Sequence, residues 1–474
     1  MRSTANFWTK RFQDAAWIQI LAKGVEQIAA GSGRASSEKA AAGRMAVSTF
    51  AVRVAGAGLA FLSQIVLARL LGAYDYGIYS VAWTFVIVLG VMACGGFSTS
   101  ASRFIPQYRQ TGDLNGLRGF LSASRQAAFL IGVGTAALAI TGVFLARPFI
   151  APTYVEPLVI VFLALPFFAF GLVQDGIARS HDWPSLAMLP TYIWRPLAIL
   201  FLLVAVSVAG MPATATTAAI IAVAATSLVA AYQYVHLRAR LPSKVPKGPA
   251  RTDLKTWLAI SLPMLMVEGF LQLLTSADVI MVSFFQSPDE VAVYFAASKT
   301  LALVHFVYFA VRAASAHRFS SYKHNEDRDG LAAYTRQATL WTFWPSLAAG
   351  LALLLVAPLL LRLFGSGFED GYPLIALLMI GVLARASVGP ADALLSMTGH
   401  QKTCAGVYAA TFVVNVLLNL ILIPLLGLAG AAIATSCAIL FEATALAIAA
   451  RRKLNVTTFV LPIMLSGRRP SDDL

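Results

Sequence analysis

Seven ionisable side chains sit inside stretches that are otherwise apolar enough to lie in hydrocarbon: Arg53, Arg195, Lys299, Arg312, Arg385, Glu268 and Asp278. A Lys or Arg at the centre of a bilayer costs ~2.5–3.5 kcal/mol on insertion scales, so several of them facing lipid would be prohibitive. They must turn toward a bundle interior or toward water. Arg195 and Arg385 fall near mid-span, too far from either surface to snorkel, and are the first candidates for gripping an anion; structural pairing is the alternative role. Lys299 joins them from the outer half of its span. Arg312 lies near the cytoplasmic end of its span and reads as a snorkelling residue. Arg53 and Glu268 carry opposite charges 215 residues apart. Glu268 and Asp278 are the carboxylates available for a gate or a coupling-ion site, and His305 reads as an interior histidine. Counted this way, the interior holds more cations than carboxylates, which suits an anionic cargo.

Other chemistries find no support. There is no Gly-rich phosphate loop ending in Gly-Lys-Ser/Thr, no Cys/His metal spacing and no acidic pair in a loop, so no cofactor, metal or enzymatic activity is expected. Cys94, Cys404 and Cys437 fall in or beside apolar runs and suggest no disulfide framework.

These residues need elements that hold them in a membrane. The 474 residues are 58% hydrophobic and 12% charged, with a mean hydropathy of +0.73. Soluble domains carry about 25% charged residues, so this chain has too little polar surface for a water-soluble body. Apolar stretches of the ~20 residues that a spanning helix needs recur from residue 45 onward. The ~10-residue alternation of an outer-membrane barrel is absent. The expected fold is an all-α polytopic membrane protein of about twelve spans: 46–68, 78–102, 126–146, 157–177, 187–208, 213–235, 257–285, 291–314, 338–361, 372–394, 404–423 and 428–449.

The formal net charge of +14 does not require nucleic acid once the positive residues are placed. Of the 36 Lys and Arg, 28 fall in the two termini and the alternate loops on their side, three (Arg69, Arg147, Arg362) on the other side, and five within spans. That asymmetry puts both termini in the cytoplasm and supports an even number of spans. Between spans one and two, "LARLLGAYDYGIYSVA" (67–82) reads as an outer hairpin tip. Gly72 and Gly77 would allow the reversal, Asp75 would be solvated, and Tyr74, Tyr76 and Tyr79 would sit at headgroup level.

A similar turn returns at 282–297. Tyr79 and Tyr294 are 215 residues apart, as are Arg103-Phe104 and Arg318-Phe319; Gly116-Leu117 and Gly330-Leu331 are 214 apart; Arg125-Gln126-Ala127 and Arg336-Gln337-Ala338 are 211 apart. The pattern RF…Y…GL…RQA thus occurs twice, each time after the second span of a half. Six spans per copy is even, so the copies are parallel repeats related by an axis along the membrane normal. The expected organisation is a cytoplasmic tail (1–44), a first lobe (45–241), a Pro- and Lys-rich linker (242–256), a second lobe (257–450) and a cytoplasmic tail (451–474). In the first tail, Trp17, Ile20, Leu21, Val25 and Ile28 have helical spacing and suit an interfacial helix; a solvated tail, or a true start at Met45, is the alternative.

Three stretches, "LSQIVLARLLGAYDYGIYSVAWTF", "SRFIPQYR" and "SLPMLMVEGFLQLLTSADVIMVSFFQSPDEVAVYFAASKTL", resemble the Wzx-type polysaccharide flippases of the multidrug/oligosaccharidyl-lipid/polysaccharide (MOP) exporter superfamily. The likeness runs from about 45 to 450 and is one of diffuse pattern. Ala292 stands where a Gly usually precedes the second-half Tyr. The resemblance implies two six-helix lobes forming a V around a central cavity. It implies alternating access that carries an oligosaccharide on a polyprenyl-pyrophosphate (undecaprenyl-type) lipid from the inner to the outer leaflet of the cytoplasmic membrane. It implies working partners in polysaccharide polymerisation and chain-length control. It also implies that spans one, two, seven and eight line the cavity, which would place Arg53, Glu268, Asp278 and Lys299 there. The rival readings are a MATE-like cation–drug antiporter, which would favour carboxylates such as Glu268, Asp278, Asp175 and Asp392, and a membrane glycosyltransferase or polymerase, which would need a large outer loop.

Overall fold

The computed structural model describes the backbone of residues 34–465 and the side chains of 55–463. The expected interfacial helix at 17–28 and the side chain of Arg53 lie outside the described residues. Every regular element among the described residues is helical.

Among the described residues, ten segments are long and apolar enough to cross a bilayer when the pair Pro152–Phe162 and Leu165–Ser180, bent by 47°, counts as one span. Two of the ten are hairpins. The helical stretch Arg34–Ala93 is interrupted at Gly72, whose φ of 75° is left-handed. Tyr76 Oη donates to Gln64 Oε1 at 3.0 Å, although residues twelve apart are separated by ~18 Å along an unbroken helix. The chain therefore folds back at Gly72. Likewise Gln401–Leu454 breaks at Gly427, φ 59°, and Asn415 Nδ2 reaches Thr435 Oγ1 at 3.4 Å across twenty residues. With both hairpins resolved there are twelve crossings.

Several spans are broken where the sequence reads them as continuous. Span two is interrupted at Cys94–Gly96 before Phe97–Thr111. Gly96 has φ 75°, and any Cβ there would strike the Ser261 carbonyl of span seven. Span seven, expected as one helix, is Leu254–Leu274 followed by Ala277–Phe285. At the break Thr275 Oγ1 donates to the carbonyls of Leu271 and Gln272, both at 3.1 Å, so a side chain satisfies part of what the backbone gives up. Span ten ends at Ser387 ahead of Gly389 and Pro390, and a short helix, Ala391–Met397, follows.

Burial separates an inner from an outer ring. The most apolar windows of Ala55–Thr111, Pro288–His324 and Phe368–Ser387 are 67%, 56% and 56% buried, against 11% for Pro184–Val208 and 17% for Gln401–Leu454. The outer helices present Leu138, Phe201, Leu355 and Leu425 outward, a surface suited to hydrocarbon.

The twofold sequence pattern has a structural counterpart. Asp113 Oδ1 accepts from Gly116 N at 2.9 Å and Asp327 Oδ1 from Gly330 N at 2.8 Å. A Cβ on Gly116 would lie 2.8 Å from Tyr108 Cε1, and one on Gly330 would lie 2.8 Å from Tyr322 Cε1. Both halves therefore turn the chain into their third span with the same Tyr–Asp–Gly device. The fold is a bundle of two parallel six-helix halves.

The outer hairpin tip differs from its reading as a simple turn. Tyr76 and Tyr79 are buried rather than at headgroup level; only Tyr74 of the three is exposed. Asp75 is not simply solvated, because its Oδ1 caps span six by accepting from Ala215 N at 2.7 Å. Gly77 meets the Pro288 carbonyl at the start of span eight so closely that no Cβ fits. Tyr76 is surrounded by Phe295, Phe364 and Phe368, with ring centroids at 5.9, 6.5 and 6.2 Å. Arg69 donates to the carbonyls of Leu363 and Arg362, both at 2.7 Å; these are orphan acceptors at the end of span nine. This knot is where the two halves close on each other at the end of the bundle that holds the Gly72 hairpin tip.

Candidate cavity between the two halves

Two chambers lie between the halves, of about 420 Å³ and 370 Å³, both bounded by Gln272, Thr275, Phe309 and Arg385. The first reaches Arg179 and Tyr192 of the first half and Glu268, Arg312, Asp392 and Glu442 of the second. The second reaches Thr84 of the first half and Asp278, Lys299, His305 and Asn415 of the second.

Arg385 lies at the junction of the chambers. Its Nη2 donates to Glu442 Oε2 at 2.6 Å, and its guanidinium stands 6.0 Å from the Tyr308 ring centroid. Its Nε is buried without a partner. Glu442 is a residue that the sequence reading missed. The signal was a lone carboxylate in an Ala- and Leu-rich span, in the same half as an arginine that needed one. Arg312 does not snorkel freely: its Nε donates to Asp392 Oδ2 at 2.6 Å. Tyr308 and Tyr408 donate to the same carboxylate at 2.8 and 3.1 Å. The two ion pairs and two tyrosines form one polar cluster on the wall of the second half.

Arg195 is placed differently. It lines neither chamber. A π-helical turn, Pro190–Trp194, immediately precedes it, and Pro190 and Pro196 supply no backbone N–H there. The guanidinium lies over Phe168 at 4.9 Å and Trp83 at 5.6 Å, within the first half. Nearby, Asp175 accepts from Gln233 Nε2 at 2.6 Å and Thr191 Oγ1 at 2.9 Å. Asp175 and Asp392 are thus each held by neighbouring side chains.

Lys299 is exposed to the second chamber with its ammonium 4.6 Å from the Phe295 ring centroid. It forms no ion pair among the described residues, and Asp278 is the carboxylate whose charge reaches it. Asp278 is buried at the start of Ala277–Phe285 and accepts from Tyr294 Oη at 2.8 Å. Glu268 is exposed to the first chamber and has no partner among the described residues. Arg179, another residue the reading passed over, is held by the Asp175 carbonyl at 3.3 Å and Ser98 Oγ at 3.3 Å, with no carboxylate paired to it. The structure brings together Arg385, Lys299, Glu268 and Asp278 around the chambers and keeps Arg195 apart.

The charge count also changes. The chambers are lined by Arg179, Arg312, Arg385 and Lys299 against Glu268, Asp278, Asp392 and Glu442, so the expected excess of cations is not met by number. Arg312 and Arg385 are ion-paired in place, and the groups left without an ion pair balance as well, Arg179 and Lys299 against Glu268 and Asp278.

Residues 42–322 match the polysaccharide biosynthesis protein family, and residues 263–421 match the MatE family. No curated protein is a recognisable relative in sequence. Among solved structures, one is described as the inward-facing conformation of a multidrug resistance MATE family transporter of the MOP superfamily. It superimposes with a TM-score of 0.68 at 16% identity, over 87% of this chain and 96% of that one. Lipid II flippase MurJ in an inward closed conformation gives 0.68 at 15%, over 90% and 94%. A MOP superfamily transporter from Pyrococcus furiosus, whose description speaks of a reverse polarity of its binding pocket, gives 0.64 at 14%, over 86% and 94%. At these identities the likeness is one of fold, the V-shaped bundle of two six-helix halves. Because the first match covers more than half of the sequence, this chain belongs to the polysaccharide biosynthesis protein family.

Proposed function

We propose that the protein moves a polyprenyl-diphosphate-linked oligosaccharide from the inner to the outer leaflet of the cytoplasmic membrane, for assembly of a surface polysaccharide. Both termini face the cytoplasm, and no covalent bond is made or broken. The observation that carries this reading is the match of residues 42–322 to the polysaccharide biosynthesis protein family; Arg179 and Lys299, which line the chambers without an ion pair among the described residues, are its candidate anion contacts. In a low-dielectric cleft such cations favour an anion, and a diphosphate offers two charges beside a tail that stays in lipid. Arg385, with one N–H unpartnered between the chambers, stands where a head group would pass from one to the other. Each chamber has only the volume of a small-ligand site, so an oligosaccharide head enters when the halves part further. With the cell interior negative, outward movement gains ~2.3 kcal/mol per charge per 100 mV, which can drive transfer without ATP.

The second reading is cation-coupled drug export. It is favoured by one observation, the unpartnered Glu268 in a chamber wall within the MatE match. Proteoliposomes separate the two. Under an imposed potential, the purified protein should render a polyprenyl-diphosphate oligosaccharide accessible to a glycosidase on the far leaflet, and Lys299→Gln should slow this at least tenfold. A wild-type protein that flips nothing but exchanges a lipophilic cation for protons or sodium overturns the flippase reading.

A further inference from the structure

Away from the central cavity, a recess of about 350 Å³ lies at the cytoplasmic end of the first half. Its walls are the first turns of Leu114–Leu145, the end of Ala215–Arg240 and the linker that follows. Four of its lining residues are cations (Arg118, Arg125, Arg238 and Lys247), and none is acidic. Arg118 builds the wall rather than the site. Its Nε donates to the Pro246 carbonyl at 2.7 Å, and its Nη1 donates to Asn115 Oδ1 at 2.8 Å and the Pro249 carbonyl at 3.2 Å. Those bonds fix the linker against span three.

Arg125 points the other way. Its Nε is bound to the Leu121 carbonyl at 2.7 Å and its guanidinium rests over Tyr234 at 5.5 Å. Its Nη1 is buried with no hydrogen-bond partner, and Arg238 lies near enough to repel it. Asp113, the N-cap of the helix that carries Arg125, is already paired with Arg251. A buried guanidinium N–H facing a like charge leaves a site incomplete until an anion enters. Leu121, Leu241 and Val245 form the floor of the recess as members of the buried core.

We propose that this recess binds the phosphoryl head group of an anionic membrane lipid at the inner leaflet. The phosphate oxygens take Arg125 Nη1, Arg238 and Lys247, and so the lipid fastens the linker between the halves to the first half. Basic recesses between helices on the cytoplasmic side are suited to such head groups. The site is independent of the cargo and does not rest on the transport reading.

The test uses the full chain in detergent, read by native mass spectrometry and thermal unfolding, with cardiolipin or phosphatidylglycerol added. Phosphatidylcholine with the same chains, and inorganic phosphate, serve as separate arms. Arg238→Gln with Lys247→Gln changes two exposed side chains and should leave the fold intact. Anionic lipid should bind and stabilise the wild type, and the double variant should bind it about thirtyfold more weakly, since each basic residue near the surface contributes ~1 kcal/mol. Arg318→Gln with Lys323→Gln, exposed on the second half, should cost little. Undiminished binding by the recess variant, an equal loss in the second-half variant, or equal stabilisation by phosphatidylcholine overturns the site. Stabilisation by inorganic phosphate as large as that by lipid overturns its assignment to a membrane component.

Discussion

At the scale of the residue, the cavity wall is governed by what happens to a charge when its partner is removed. Breaking a buried ion pair on one side costs ~3–5 kcal/mol, whereas replacing both members with apolar groups is often neutral. Glu442→Leu alone should therefore lower the thermal midpoint markedly by stranding Arg385. Adding Arg385→Met should recover most of that stability. Export measured in the recovered double variant then isolates the transport role of Arg385, and loss of export with a restored midpoint is the expected result. A double variant that is stable and fully active would take Arg385 out of the cargo path. His181, at the turn after span four, gives a pH-dependent counterpart. It is buried, with its Nδ1 bound to the Ile177 carbonyl at 2.9 Å and its Nε2 unpartnered. Burial pushes its pKa down from 6.5 to about 4. The folded state then binds fewer protons than the unfolded one between these values, so stability is full above pH 6.5 and falls as the pH drops toward 4. Thermal midpoints across that range should show the fall, and His181→Phe should flatten it.

At the scale of the element, the outer knot turns a hairpin tip into an interface. Gly77 is small because the Pro288 carbonyl lies where its Cβ would be, while Gly72 alone carries the left-handed turn. Gly77→Ala should thus push the outer ends of spans two and eight apart. Spin labels at Tyr74 and Asp289, both exposed, should show a longer and broader distance distribution than in the parent protein. An unchanged distribution would mean that the contact does not hold the outer side shut. This knot also marks what the sequence made legible. The number of spans, the hairpin at Gly72 and the repeat were readable because periodicity, apolar length and the spacing of Arg103-Phe104, Gly116-Leu117 and Arg125-Gln126-Ala127 are local properties. What Gly77 and Tyr76 touch was not readable, since their partners lie more than 200 residues away. The breaks in spans seven and ten were hidden because membrane helices accept Gly and Pro without losing their apolar character. In the cavity, Lys299, Glu268 and Asp278 stood out as charges in apolar surroundings. Arg195 stood out for the same reason, yet it satisfies itself on Phe168 and Trp83, a solution that no hydropathy profile distinguishes from facing a cavity.

At the scale of the whole molecule, alternating access needs the halves to be held at one end while they part at the other. Here the ends that hold the Gly72 hairpin tip are joined by Arg69 and the Tyr76 aromatic cluster, and Glu268 faces the first chamber without a partner among the described residues. In the opposite state the cytoplasmic ends must meet. Arg53 and Glu268 occupy equivalent places in spans one and seven under the 215-residue offset, so a pseudo-twofold that brings those spans together would bring opposite charges to the same depth. We predict that they pair when the cytoplasmic side closes. In a dry interface such a pair adds little net stability, but removing one member leaves a stranded charge costing ~3–5 kcal/mol, which is enough to shift a two-state equilibrium by more than a hundredfold. Arg53→Glu or Glu268→Arg alone should then leave the cytoplasmic side open, read as persistent labelling of a cysteine introduced at Gln272, and should stall export. The double exchange should restore part of both. If the exchanged pair is as inactive as either single variant, the two residues do not form a latch, and their roles separate into a cargo ligand at Arg53 and a coupling-ion site at Glu268.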